Sequence, residues 1–408
     1  MNKNKLGIGI IGAGFVAKFH VKSFVGVRNA DIKAIYSRTY SKAKSLAGLV
    51  ENLGVGKPRV YSNIFDMLRD KEVDAIWVLV PNNVHLQYTK YIAEEASQGR
   101  NDIIGIAIEK PLARNVQEAK EMVKIVEKVG IFHGYLENQV FMPSMVRGRE
   151  IIWKYGVKYS DRPYLARAAE EHAGPHNSWF WNPKVSGGGV LLDMMCHSIE
   201  AARFLLTDPV KNKDSIKPKS IYTETYTLKW LKDKYVNDLK KRFNIDFSKN
   251  PAEDYALTII EYEDDEGNII LSETRTSWNF VGAGLRLSLE VLGPEYSLFI
   301  NTLEPGSFLF FSRNIKAPPT EELVEKQNAD QGLMPFIPDE TATYGYINED
   351  QHMVNSFLVG KMPFETWYDG LLVTQLMMLA YLSAEKNEKI KFNPVLVENY
   401  IPRIAREK

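Results

Sequence analysis

Cysteine is almost absent from this 408-residue chain. Cys196 is the only one, which excludes an intramolecular disulfide framework and any cysteine-based zinc cluster. Neither sign of charge is in excess, with 51 Lys+Arg against 51 Asp+Glu. A nucleic-acid partner held mainly through its phosphates is therefore not expected, because nothing supplies a large positive field. A small anionic ligand stays open, since one helix N-terminus holds such a group. No apolar run reaches the ~18 residues that a membrane span needs, so no membrane association is expected. The opening Met1–Lys5 and the apolar stretch behind it resemble a secretory leader. However, Leu6–Val16 carries Gly7, Gly9, Gly12 and Gly14 and then meets Lys18 and His20. It reads as a buried strand entering a tight turn, and the chain reads as cytoplasmic.

What is present fits a globular protein: 45% hydrophobic and 25% charged residues, in a length that argues for two domains at roughly 150 residues each. The first part alternates strand-like and helix-like segments. Strands are expected at Leu6–Ile11, Asp31–Tyr36, Arg59–Tyr61, Asp74–Val80, Ile103–Ile108 and Ile131–Tyr135, with helices between them, the clearest at Val84–Ser97 and Val116–Val129. That alternation implies right-handed βαβ units and a doubly wound, Rossmann-type α/β domain over residues 1–138, with its ligand at the carboxyl ends of the strands. Beyond it strands dominate, among them Tyr255–Tyr262 and Ile269–Ser277 flanking a polar link suited to a hairpin. Residues 139–408 therefore read as an α+β domain with a large, mostly antiparallel open sheet. The apolar helix near Asp369–Ala384 is expected to pack on the sheet or back on the first domain. Two stretches, the Lys-rich, helical Lys229–Asn250 and the Pro- and Glu-rich Lys316–Thr343, read as inserted, solvated surface, with a lid over the site as the alternative.

Gly12-Ala13-Gly14-Phe15-Val16-Ala17 follows the first strand and opens a helix. The first glycine makes the turn, the second admits a pyrophosphate to the backbone, and the small Ala17 lets helix and strand pack closely. Gly12, Gly14, Phe15, Val16 and Ala17 are thus dinucleotide-binding candidates. The second strand ends in Ser37-Arg38-Thr39 with no carboxylate to accept from a ribose 2′-hydroxyl. A hydroxyl and a guanidinium favour a 2′-phosphate, so NADP is expected rather than NAD, with Arg38 stacking on adenine as the alternative that suits either coenzyme. Pro81-Asn82-Asn83-Val84-His85 and Glu109-Lys110-Pro111 follow the fourth and fifth strands, on the same edge as the glycine turn. A lysine held there reaches the nicotinamide, and the ring's positive charge lowers its pKa towards neutrality. Pro81, Asn82, His85, Glu109 and Lys110 join the cofactor candidates.

At these motifs, and at Gly187-Gly188-Gly189-Val190-Leu191-Leu192-Asp193 through His197, the chain resembles the glucose–fructose oxidoreductase, inositol dehydrogenase and rhizopine-catabolism family of NAD(P)-dependent sugar dehydrogenases. The resemblance implies that Lys110, Asp193 and His197 carry the chemistry: Lys110 polarising the reacting oxygen, His197 exchanging the proton, Asp193 orienting hydroxyls. Asp193 and His197 are spaced i, i+4 and share a helix face. In place of the family's usual glycine between them stands Met194-Met195-Cys196. Met195 adds bulk, and Cys196 reads as a buried apolar residue. His172 and His176 have a spacing that suggests zinc on a helix, but Gly174 and Pro175 break any helix there, so no metal is expected. His172, His176, Asn177 and Trp179 read instead as a loop lining a sugar pocket, with Trp179-Phe180-Trp181 offering faces to a pyranose. Glu137 and Asn138 follow the sixth strand as further candidates for substrate or nicotinamide, and Tyr344 and Tyr346 as late ones.

The expected activity is NADP(H)-dependent hydride transfer to or from a sugar or polyol, by a homodimer or homotetramer joined through the open sheet. A glycosidase or lyase that oxidises its sugar transiently and a non-catalytic sugar-sensing regulator are the alternatives.

Overall fold

Every side chain of the first strand, β1 (Leu6–Ile11), is buried, as a central parallel strand requires when helices cover both sheet faces. The structure, a computed structural model, describes residues 4–304, 308–311, 322, 324–327 and 332–406. Much of the Lys316–Thr343 stretch lies outside the described residues. Two units emerge from the chain's contacts: Met1–Met142 with Thr341–Thr374, and Pro143–Glu340 with Gln375–Lys408.

In the first unit β1 is joined by β2 (Ala30–Tyr36), β3 (Gly56–Tyr61), β4 (Ala75–Val78), β5 (Gly105–Glu109) and β6 (Phe132–Leu136). All pairings are parallel, in the order β3-β2-β1-β4-β5-β6. The order reverses between β1 and β4, which places the ligand crevice of such a sheet outside their carboxyl ends. Helices α1 (Phe15–Ser23), α2 (Tyr40–Asn52), α3 (Ile64–Leu68), α4 (His85–Ser97) and α5 (Val116–Val129) link the strands. The last of these shows why the boundaries fall where they do. Asn115 caps it by accepting from the Glu118 N–H, Gly130 ends it in the left-handed region, and Ala119, Met122, Val123 and Val126 form its buried stripe.

The second unit opens with α6 (Pro143–Ile151) and α7 (Val157–Tyr159). Its sheet has seven strands in the order β12-β11-β7-β10-β9-β8-β15. These are β7 (Leu165–Glu171), β8 (Ile216–Tyr226), β9 (Tyr255–Asp264), β10 (Ile269–Ser277), β11 (Arg286–Leu292), β12 (Ser297–Asn301) and β15 (Ile390–Lys391). A separate pair, β13 (Phe308–Phe311) and β14 (Gly332–Pro335), is antiparallel. Within the large sheet only β7 and β10 run parallel. The β9–β10 hairpin is closed by the Asp264 carboxylate, which accepts from the Glu266 and Asn268 N–H groups. One face is covered by α9 (Val190–Leu206), which follows the short α8 (Pro183–Ser186). The other presents Leu257, Ile259, Leu271 and Phe299 as exposed apolar side chains.

The Lys229–Asn250 stretch forms a lysine-rich helix, α10 (Asp233–Phe243), and most of its side chains are exposed or half-buried, as expected of solvated surface; Trp230, Leu239 and Phe247 are buried. The Trp230 ring packs on Trp181 with centroids 4.6 Å apart. Charge density hid this anchoring, because three buried apolar groups suffice to dock a short excursion. Between β14 and β15 lie α11 (Glu340–Thr343), α12 (Tyr346–Leu358) and α13 (Trp367–Lys386). Met353, Val354 and Phe357 of α12 enter the core of the first unit, with the Phe357 ring against Gly105 of β5.

Candidate active site

Gly12 turns the chain at the end of β1 with φ +115°, its N–H donating to the Tyr36 carbonyl at 2.8 Å. A Cβ there would run into the Leu79 carbonyl oxygen. Gly14 caps α1, and nothing lies within 4 Å of where its Cβ would be. The first turn of α1, Phe15-Val16-Ala17, carries no acidic side chain. Open space over Gly14, the N-terminal turn of α1 and a buried Ala17 fit a pyrophosphate. Beyond β2, Ser37 is half-buried and Arg38 exposed, with no carboxylate among residues 37–39. The Ser37 Oγ accepts from the Thr39 N–H at 3.3 Å.

Along the same edge, Pro81 and the buried Asn82 follow β4. His85 is fully buried, its ring nitrogens 2.9 Å from the Val80 carbonyl and 3.0 Å from that of Leu112. It thereby staples the loop after β4 to the loop after β5. Burial lowers its pKa, against the opposing effect of the two carbonyls. Glu109 ends β5, and the Lys110–Pro111 peptide is cis. The Lys110 N–H donates to the Glu109 carboxylate at 3.0 Å. Glu137, just past β6, is buried, and burial pushes its carboxyl up to about 8 although the Lys110 ammonium acts in the other direction. Asn138 donates to the Tyr344 carbonyl at 2.7 Å. The cofactor candidates of the first unit, Lys110 and Glu137 therefore share one edge of one sheet.

In the second unit α9 presents Asp193 and His197 one turn apart, and His197 is buried. The Asp193 Oδ2 accepts from the Trp278 indole N–H at 3.1 Å. His197 Nε2 lies 3.8 Å from the Glu170 carboxylate of β7. His172 is buried, and its Nδ1 accepts from the Gly174 N–H at 2.9 Å. His176 lies 2.7 Å from the Lys326 Nζ, and its pKa is pushed down to about 4 by desolvation and by the Lys326 and Arg242 charges. Trp179 stacks on Phe180 with centroids 3.7 Å apart, and Trp181 is buried between Trp230 and Trp278.

The glycine turn before α9 is held from below. The Glu253 carboxylate accepts from the Gly189 and Leu191 N–H groups at 3.0 and 3.1 Å and from the Tyr381 hydroxyl at 2.6 Å. Any Cβ at Gly188 would strike that hydroxyl. Burial raises Glu253 to about 7, against the hydrogen bonds that lower it. Because its folded pKa exceeds the ordinary carboxylate value, the stability it contributes is complete below pH ~4.5 and is lost as pH rises to about 7. Wild type should thus lose on the order of 3 kcal/mol across that window relative to Glu253→Gln, which still accepts from both N–H groups. Urea unfolding at pH 5 and pH 8 checks this, and equal pH dependence of the two proteins would refute it.

Residues 6–134 match the oxidoreductase family with an NAD-binding Rossmann fold, and residues 161–298 match the C-terminal domain of the GFO/IDH/MocA proteins, the family of glucose–fructose oxidoreductase, inositol dehydrogenase and rhizopine catabolism. The chain belongs to this family. Its 1,5-anhydro-D-fructose reductase relative from Ensifer adhaerens is 27% identical over 205 residues, 49% of this chain and 56% of that one. The D-glucoside 3-dehydrogenase of Escherichia coli is 28% identical over 210 residues, covering 51% and 56%. The chain spans about half the length of the curated relatives it matches. The crystal structure of GenD2 from gentamicin A biosynthesis, in complex with NAD, superposes with a TM-score of 0.76 at 22% identity over 96% of this chain and 98% of that one. That likeness establishes the fold. Among the described residues no helix is long and apolar enough to cross a membrane.

Sequence reasoning passed over Trp278, Glu253, His20 and Asp350. A tryptophan just past a strand was a usable signal, because a buried indole N–H needs an acceptor. His20 sits at helical spacing with buried Ala17, Val21 and Phe24, so the 3.6-residue period alone places it inward.

Proposed function

We propose that the protein is an NADP(H)-dependent oxidoreductase that moves a hydride between the nicotinamide and a secondary alcohol or ketone of a sugar or polyol. The observation that carries this reading is Lys110, which follows β5 on the sheet edge where the glycine turn admits the dinucleotide. When bound, the coenzyme supplies the hydride acceptor or donor. Lys110 would hydrogen-bond the reacting oxygen, His197 would exchange its proton, and Asp193, steadied by Trp278, would orient the neighbouring hydroxyls. Glu137, His172, His176 and Trp179 complete the proposed sugar contacts. The names of the relatives, a reductase of an anhydrofructose and a dehydrogenase of a glucoside, support a carbohydrate substrate. The exposed Leu257, Ile259, Leu271 and Phe299 of the open sheet face support a second copy of the chain seated there.

The test is a panel of sugars, polyols and keto-sugars with each coenzyme, followed by absorbance at 340 nm. Net formation or consumption of reduced coenzyme supports the reading. Sugar consumed without any net absorbance change points instead to transient oxidation within a glycosidase or lyase cycle. The choice of coenzyme rests on Ser37 and Arg38. Fluorescence titration should show NADPH bound more tightly than NADH. Arg38→Asp should weaken NADPH binding about 10- to 100-fold, the worth of one charge-assisted pair, with little change for NADH. Equal wild-type affinity for the two would remove the argument.

A further inference from the structure

Behind the Glu109-Lys110 turn lies a chain of buried ionisable groups. His20, on α1, is fully buried. Its Nε2 is 2.9 Å from the Glu109 Oε1, and its Nδ1 is 2.9 and 3.0 Å from the two oxygens of Asp350 on α12. Asp350 accepts in turn from the Trp77 indole N–H of β4 at 2.8 Å and from the Ser23 hydroxyl. The second oxygen of Glu109 accepts the Lys110 backbone N–H. With both carboxyls ionised, the imidazole between them needs a proton on each nitrogen, because a carboxylate only accepts; the alternative is a neutral ring with the proton on one of the carboxyls.

We propose that His20 is a doubly protonated positioning residue, fixed by Asp350, which through Glu109 sets the backbone and the electrostatic surroundings of Lys110. This rests on the proposed function for the role of Lys110, but not for the state of His20. Four carboxyl groups gather here, Glu109, Glu137, Glu349 and Asp350, with His20 and Lys110 as the cations acting on them. Glu349, also buried on α12, makes no hydrogen bond through its carboxyl among the described residues, and burial drives its pKa well up. Burial would lower the His20 pKa, but Asp350 and Glu109 outweigh it and raise it well above the ordinary value. Tyr346 stands edge-on to the ring, with centroids 5.2 Å apart at 88°. A sub-ångström slackening of a group that holds a reacting residue is amplified, since misplacement by ~1 Å costs up to ~10²-fold in rate.

The test combines three measurements on the full chain. Selective ¹⁵N labelling of histidine, with His20 assigned by its loss in His20→Gln, should show both ring nitrogens protonated in wild type at pH 8, where an ordinary histidine is neutral. An unprotonated nitrogen at that pH overturns the proposal, whatever the variants do. Asp350→Asn removes the charge, and its amide can turn its NH2 to donate to an unprotonated Nδ1. It should cost His20 its second proton, lower kcat by ~10²-fold and leave the coenzyme KM nearly unchanged. Competitive acetylation read by mass spectrometry should show altered reactivity of Lys110 alone among the lysines. Unchanged Lys110 reactivity in Asp350→Asn overturns the positioning role even if no sugar is turned over. A wild type inactive on every sugar, with His20 doubly protonated and Lys110 reactivity altered, would instead sink the proposed function.

Discussion

Lys110→Ala should lower turnover by ~10³-fold while the protein folds and still binds NADPH, because a positioned acid–base group contributes about 10²–10⁴-fold. The backbone N–H of residue 110, which donates to the Glu109 carboxylate, is kept by the substitution. The variant should also reveal how Glu137 titrates. That carboxyl is held near 8 by burial while the Lys110 charge pulls it down, so losing the charge should raise it further. A pH profile of residual activity or of NADPH fluorescence, compared with wild type, reads this shift. Near-normal turnover in the variant would remove Lys110 from the chemistry.

Gly12→Ala should damage both the fold and the coenzyme site. At φ +115° an L side chain is strained before any contact is counted, and the new Cβ meets the Leu79 carbonyl at the end of β4. The atom it meets first belongs to the backbone and cannot swing aside as a flexible side chain would. A loss on the order of 3 kcal/mol or more is expected, together with coenzyme binding, because the turn carries both. Gly14→Ala provides the contrast: with open space around its Cβ position, it should fold normally and lose affinity only. Thermal unfolding with and without NADPH separates the two, and a stable Gly12→Ala that binds coenzyme would overturn the account.

The parallel sheet was legible in the sequence because its signals are local. Runs such as Leu6–Ile11 and glycines at a strand end each act within a few residues. The hairpin of Tyr255–Asp264 with Ile269–Ser277 was legible for the same reason. Less visible was α12, because the Lys316–Thr343 stretch before it lacks periodicity and its Glu349 and Asp350 are acidic residues facing inward. A buried carboxylate makes sense only beside its partners, and His20 is 330 positions away in the chain. Trp278 and Glu253 were missed on the same physical ground. Their partners, Asp193 and the Gly189 turn, are brought to them by the sheet and not by spacing.

The aromatic excursion between β8 and β9 has a narrow neck. Tyr226 and Tyr255 still pair across the ladder, and the Asp254 carboxylate gathers the Leu228, Lys229 and Trp230 N–H groups as the chain departs. Everything from Thr227 to Asp254 is thus one enlarged hairpin turn, and doubling the length of such a loop costs only about 0.6 kcal/mol of closure entropy. In evolutionary terms this is a graft point. The excursion sets Trp230 against Trp181, which also packs on Trp278, the partner of Asp193. A lineage could exchange the loop, and with it the wall beside Asp193, while the seven-stranded sheet stayed as it is.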